Sequence, residues 1–159
     1  PISLNGLFVP RMSGLAAAVN EPEIRRIELA GFNGISDAES LARLYATALG
    51  KIPNVSLAAK QVIDDARLVI SSGNDKLTGL PGPTWGAGLM LPWKIQPMLG
   101  EGSFGHDGAG GALAFAHGPS GVSFAYVRNR AGAPGTRDAL VYRVVEALAD
   151  CLNISLPKF

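Results

Sequence analysis

A single cysteine, Cys151, leaves the chain without an internal disulfide and without any multi-cysteine metal site. Its place in an apolar helical pattern predicts a buried thiol. Charge is scarce: Asp, Glu, Lys and Arg make up 17% of the 159 residues, and 14 basic residues are scattered among 13 acidic ones for a formal net charge of +1. No basic stripe exists to track phosphates, so nucleic acid is not an expected partner. No apolar run approaches the roughly 20 residues a bilayer helix needs, and Gly and Pro interrupt every hydrophobic stretch beyond residue 70. A soluble chain with no membrane span is expected, the cytoplasm being the favoured compartment. The two histidines, His106 and His117, are separated by strand and a change of face, so three metal ligands do not converge, and no metal or cofactor is predicted. The chain begins at Pro1, with neither an initiator methionine nor a basic stretch followed by an apolar one. The expectation is a segment whose N-terminal portion lies upstream.

What is present suffices for one core, since 47% of the residues are hydrophobic. Residues 1–84 read as mainly helical with a loop, and residues 85–159 as antiparallel strands closed by a helix, together one incomplete domain. In the first part, Asn20 to Arg26 can hold one or two turns, with Pro22 suited to the first. Ser36-Asp-Ala-Glu39 has capping-box spacing, and Leu41, Leu44, Tyr45, Ala48 and Leu49 then recur at three and four until Gly50 stops the helix. A second helix is predicted after a Ser56 cap through Val62, Ile63 and Ala66. Leu68 to Ile70 fits its end or a short strand equally well, and Ser71 to Pro83 reads as loop.

From Trp85 the pattern changes. Trp85 to Trp93 and Gly111 to His117 are apolar runs, and Val122 to Arg128 alternates, with Val122, Phe124 and Tyr126 on one face. Gly118-Pro-Ser-Gly121 supplies the turn residues of a hairpin. Leu140, Val141, Val144, Val145, Leu148 and Leu152 then mark one side of a helix over about Thr136 to Asn153. Helices, a strand meander and a closing helix make an α+β arrangement, an antiparallel sheet packed by helices.

The densest local signal is Ser103-Phe-Gly-His-Asp-Gly-Ala-Gly-Gly111, a His-Asp pair among glycines that let backbone pass close to a ligand or another strand. On spacing alone it reads first as a glycine-rich β-turn with an exposed histidine. Gly100-Glu-Gly-Ser-Phe-Gly105 matches G-x-G-x-x-G only formally, because Pro97 precedes it, strand pattern follows, and no acid stands about 20 residues on. Lys76-Leu-Thr-Gly79 reads as an ordinary turn and His117 as a solvated strand end. Trp85, Trp93 and Phe104 suit a core better than a pocket.

Phe104 to Gly111, the strand Val122 to Asn129 and Arg130-Ala-Gly132, taken with Asn20-x-Pro-Glu-x-Arg25, Glu28, Asn33-Gly34 and Ala38-x-x-Leu41-Ala-Arg-Leu-Tyr45, resemble serine β-lactamase-like proteins in the branch of class C β-lactamases and family VIII-type esterases. The resemblance covers about Asn20 to Leu148 and implies the C-terminal part of a β-lactamase/transpeptidase-like fold. In that family a Lys-Thr-Gly or His-x-Gly triplet lies on a strand beside the active-site serine, and His106-Asp107-Gly108 matches it. By position the Ala109 N–H becomes an oxyanion donor, His106 a pocket or proton-transfer residue, and Asp107, Gly108 and Gly110 substrate-binding positions. Such a donor is worth about 2.7–4 kcal/mol of barrier. With histidine in place of lysine and an added carboxylate, an anionic β-lactam is disfavoured, and an uncharged small-molecule ester or amide is the implied partner.

The resemblance also shows what is missing. The family's nucleophile comes from Ser-x-x-Lys and a proton relay from Tyr-x-Asn. Here the literal Ser155-Leu-Pro-Lys158 holds a proline within the last five residues, and Tyr-x-Asn does not occur. By itself the chain is expected to be inert in acyl transfer. An esterase when intact, a penicillin-recognising enzyme, and a non-catalytic binding or assembly module all stay open, as does oligomerisation.

Overall fold

A computed structural model describes residues 20–28, 31, 34–76, 79–108, 110–129 and 139–157. The chain divides into two units, Pro1–Ser36 and Asp37–Phe159. The first contains α1 (Pro22–Arg25), a single exposed turn opened by its proline as expected.

The second unit begins with α2 (Ala38–Ala48). Its cap is Asp37, one residue beyond the expected Ser36. The Asp37 carboxylate accepts the Ser40 N–H at 2.7 Å with one oxygen and the Ser40 hydroxyl at 3.1 Å with the other. Gly50 ends the helix as predicted: its φ is +69°, and paired bonds Gly50 N–H to Thr47 O and Lys51 N–H to Ala46 O, each 2.9 Å, form a Schellman motif. The buried stripe is narrower than its hydrophobic residues suggest, because Leu44 is exposed while Tyr45, Ala48 and Leu49 pack inward.

The next helix, α3 (Lys60–Ala66), starts later than expected. Ala59 is its N-cap and has no side-chain bond, whereas Ser56 donates its hydroxyl to the Ala58 carbonyl at 2.7 Å. Leu68 to Ile70 continues neither helix nor strand. Instead Ile70 N–H donates to Trp85 O at 2.8 Å, and Ser71 forms an isolated bridge with Trp85.

Five antiparallel strands follow in spatial order: β1 (Thr84–Trp85), β2 (Met90–Leu91), β3 (Ser103–Asp107), β4 (Leu113–His117) and β5 (Val122–Tyr126). The run Trp85 to Trp93 is not one strand. Gly88, at φ +74°, and a 2.9 Å bond from Gly86 N–H to Leu89 O fold it into a hairpin. The predicted Gly118–Gly121 turn joins β4 and β5, with Gly121 at φ +67°.

Register decides which side chains meet. Phe104 pairs with Ala116, and Gly105 pairs with both Phe115 and Met90. Period-2 alternation therefore puts Leu91, Phe104 and Ala116 on one face, covered by Tyr45, Ala48, Leu49 and Ile63. Met90, Leu113 and Phe115 lie on the other, where Phe124 stacks on Phe115 with centroids 5.2 Å apart. Over that face packs α4 (Ala139–Cys151), through Val141, Val145 and Ala149 with Leu148 and Leu152 beside them. Leu140 and Val144, expected in the stripe, are exposed. Cys151 is also exposed, contrary to the buried thiol its pattern suggests. Two residues beyond buried Ala149, it is rotated about 200° around the axis. The expected helix start at Thr136 lies outside the described residues.

Candidate active site

The end of β3 gathers the motif residues. His106 and Asp107 are its last two positions, His106 exposed and Asp107 half-buried, so the pair stands on a strand and not on a free turn. Gly108 N–H donates to Ala112 O at 2.8 Å and Gly111 N–H to Gly108 O at 3.0 Å, which closes the turn into β4. Gly110 and Gly111 hold φ of +119° and +96°, backbone that a side chain would strain. Ala109, the expected oxyanion donor, lies outside the described residues.

Two contacts define His106. Its Nδ1 is hydrogen-bonded to the carbonyl oxygen of Asp107. Its ring lies 5.4 Å from that of Trp85, tilted by 42°. Trp85 also packs against the core, as does Trp93, while Phe104 is wholly interior. The neighbourhood of Trp85 and His106 has no local signal, because 21 residues separate them and only strand pairing brings them together.

His117 lies at the opposite end of the sheet, where its partner across the ladder is Ser103. It does not approach His106, as expected, but it is buried at 5% exposure instead of solvated. Its Nε2 donates to Glu101 O at 3.1 Å and its Nδ1 accepts from the Ser120 hydroxyl at 2.7 Å. Burial holds its pKa below the ordinary 6.5 and the Arg67 charge acts in the same direction, while the bond to Glu101 opposes both. The signal was present, since alternation puts His117 on the face of Leu113 and Phe115. Near this end, a groove of about 830 Å³ is lined by Lys51, Asp64, Arg67, Gly102 and Pro119 among others, and it includes none of the motif residues. Among the described residues no group of three His, Cys, Asp or Glu could hold a metal ion, and no helix is long and apolar enough to cross a membrane.

The arrangement of helices and antiparallel sheet has counterparts among known proteins. The Beta-lactamase family model matches residues 5–149. The chain belongs to the serine β-lactamase-like family. No curated protein matches it. A solved family VIII carboxylesterase is similar in fold over 86% of this chain, with a TM-score of 0.76 at 22% identity. A penicillin-binding protein homolog from Caulobacter crescentus matches over 82%, with a TM-score of 0.70 at 34% identity. EstA from Arthrobacter nitroguajacolicus Rue61a matches over 74%, with a TM-score of 0.64 at 26% identity. The chain spans 37%, 36% and 32% of those three chains respectively, about a third of each.

Proposed function

We propose that this chain is the C-terminal part of a serine hydrolase that, when intact, cleaves uncharged esters through an acyl-serine. The single observation that carries this reading is the position of His106-Asp107-Gly108 at the end of β3, where serine β-lactamase-like proteins keep their Lys-Thr-Gly or His-x-Gly triplet. In the proposed reaction an upstream serine attacks the ester carbonyl and the alcohol leaves; water then releases the acid and restores the serine. This segment supplies the Ala109 N–H to the oxyanion. His106 lines the pocket and exchanges a proton with the reacting oxygens, while Asp107, Gly108 and Gly110 shape the wall. Similarity to a carboxylesterase and to EstA supports an ester over an amide.

A second reading, recognition of a penicillin-like amide, is favoured by the 34% identity to the penicillin-binding protein homolog. The Asp107 carboxylate counts against it, because β-lactams carry a carboxylate of their own.

Hydrolysis of a short-chain nitrophenyl ester by the full-length protein tests the first reading, with turnover expected to fall at least tenfold in His106→Ala. Unchanged turnover would remove His106 from the mechanism. A stable adduct with a labelled β-lactam, without ester turnover, would establish the second reading. Full-length sequence without Ser-x-x-Lys would leave a non-catalytic module.

A further inference from the structure

We propose that Trp85 is a positioning residue for His106: together with the Asp107 carbonyl it holds the imidazole as the Nδ1–H tautomer, with Nε2 as the nitrogen offered to the site. The inference depends on the hydrolase reading for its consequence, not for its geometry.

The backbone explains why a carbonyl is available. Since Gly108 N–H donates to Ala112 O, Asp107 and Leu113 face each other as a non-hydrogen-bonded pair, and the Asp107 carbonyl points away from β4. On its other side β2 has already ended, for it pairs with β3 only at Met90 and Gly105. The His106 ring takes that oxygen. A carbonyl only accepts, so Nδ1 carries a proton, and whenever the ring is neutral Nε2 is its unprotonated nitrogen. A histidine free in water prefers the opposite tautomer.

The backbone that carries the indole is anchored. Trp85 N–H donates to Ser71 O at 2.8 Å, and its carbonyl accepts from Ile70 at 2.8 Å and Ser71 at 3.2 Å. Across the hairpin Trp85 pairs with Met90, and its side chain packs on the core below. With this ring 5.4 Å away, the indole closes one side of the exposed imidazole. The result is a proton-accepting nitrogen at a fixed place beside the glycine turn, preorganised before any acyl compound binds.

The two histidines make the test direct. In the 15N-labelled chain at alkaline pH, long-range 1H–15N spectra are expected to show His106 as Nδ1–H, with its Hε1 resonance displaced by the indole ring current. His117, which donates from Nε2, reports that the fold is intact. Trp85→Leu is expected to return His106 to the Nε2–H form and its Hε1 to the random-coil position, and Trp85→Phe to restore both. A wild-type Nε2–H form, or an unchanged His106 in folded Trp85→Leu, overturns the proposal. If Trp85→Leu unfolds and His117 loses its pattern, the wild-type ring-current displacement decides, its absence overturning the proposal. Failure of ester hydrolysis with the Nδ1–H form intact would sink the hydrolase reading and leave this one standing.

Discussion

His117 donates through Nε2 to the Glu101 carbonyl at 3.1 Å and so ties the last residue of β4 to the turn that leads into β3. Its Nδ1 is engaged by Ser120, and burial favours the neutral ring. The folded-state pKa lies below the unfolded one of about 6.5, so between the two the unfolded chain binds more protons. Stability should be level above that pH and decline as pH falls below it, until the folded-state pKa is passed. Urea midpoints across this range would show the decline. In His117→Gln the slope should vanish, and an equal slope in the variant would assign it to other groups.

Gly105 leaves room for β4. A Cβ built there would lie 2.2 Å from Ala114 O and 2.5 Å from Phe115 Cβ, and neither backbone nor a buried Cβ can swing aside. Gly105→Ala should cost at least the upper end of the about 1–3 kcal/mol typical of overpacking, read as a lower urea midpoint. A midpoint equal to wild type would mean that the strands sit farther apart than the pairing requires.

Much of this fold was legible because burial writes a period into the chain. Val122, Phe124 and Tyr126 alternate, Tyr45, Ala48 and Leu49 recur at helical spacing, and Gly50 marks its stop. The errors come from that period's limited angular resolution. Leu44 and Val144 are apolar and one position from the buried stripe, yet packing against a sheet covers only part of a helix. Local rules also failed where two candidates were adjacent: at Ser36-Asp37 the carboxylate, with two accepting oxygens, takes the cap. The candidate site was legible as a string from His106 to Gly111. Trp85 as its neighbour was not, since no short-range pattern encodes a contact made through the β1–β2 hairpin and β3.

Asp37 should behave as a pH-dependent cap. Its carboxyl is held below the usual 3.8 chiefly by the Ser40 backbone N–H, then by the Ser40 hydroxyl. With the folded pKa depressed, the ionised cap stabilises above the unfolded value and is lost as pH falls through the folded one. Asp37→Ala is expected to lower Tm by about 2–4 °C near neutrality and by less in acid, with Asp37→Ser recovering most of the loss. Thermal scans at two pH values check this. A pH-independent deficit would mean that the carboxylate charge is immaterial.

Arg67 joins the end of α3 to the turn before β3 through three contacts of different kinds. Its guanidinium lies 4.8 Å over the Phe104 ring, donates to Gly102 O at 3.2 Å, and stands 3.6 Å from the Asp64 carboxylate. Lysine keeps the charge but not the planar face or the fork, so Arg67→Lys should cost about 1–2 kcal/mol in urea unfolding. The same charge also bears on His117, helping to hold its pKa down. Arg67→Met should therefore raise the His117 titration midpoint toward its ordinary value, whereas Arg67→Lys should leave most of the depression in place. An NMR titration of His117 in the two variants separates charge from packing: equal midpoints in both would mean that desolvation alone sets the value and that Arg67 acts on this end of the sheet only through its contacts.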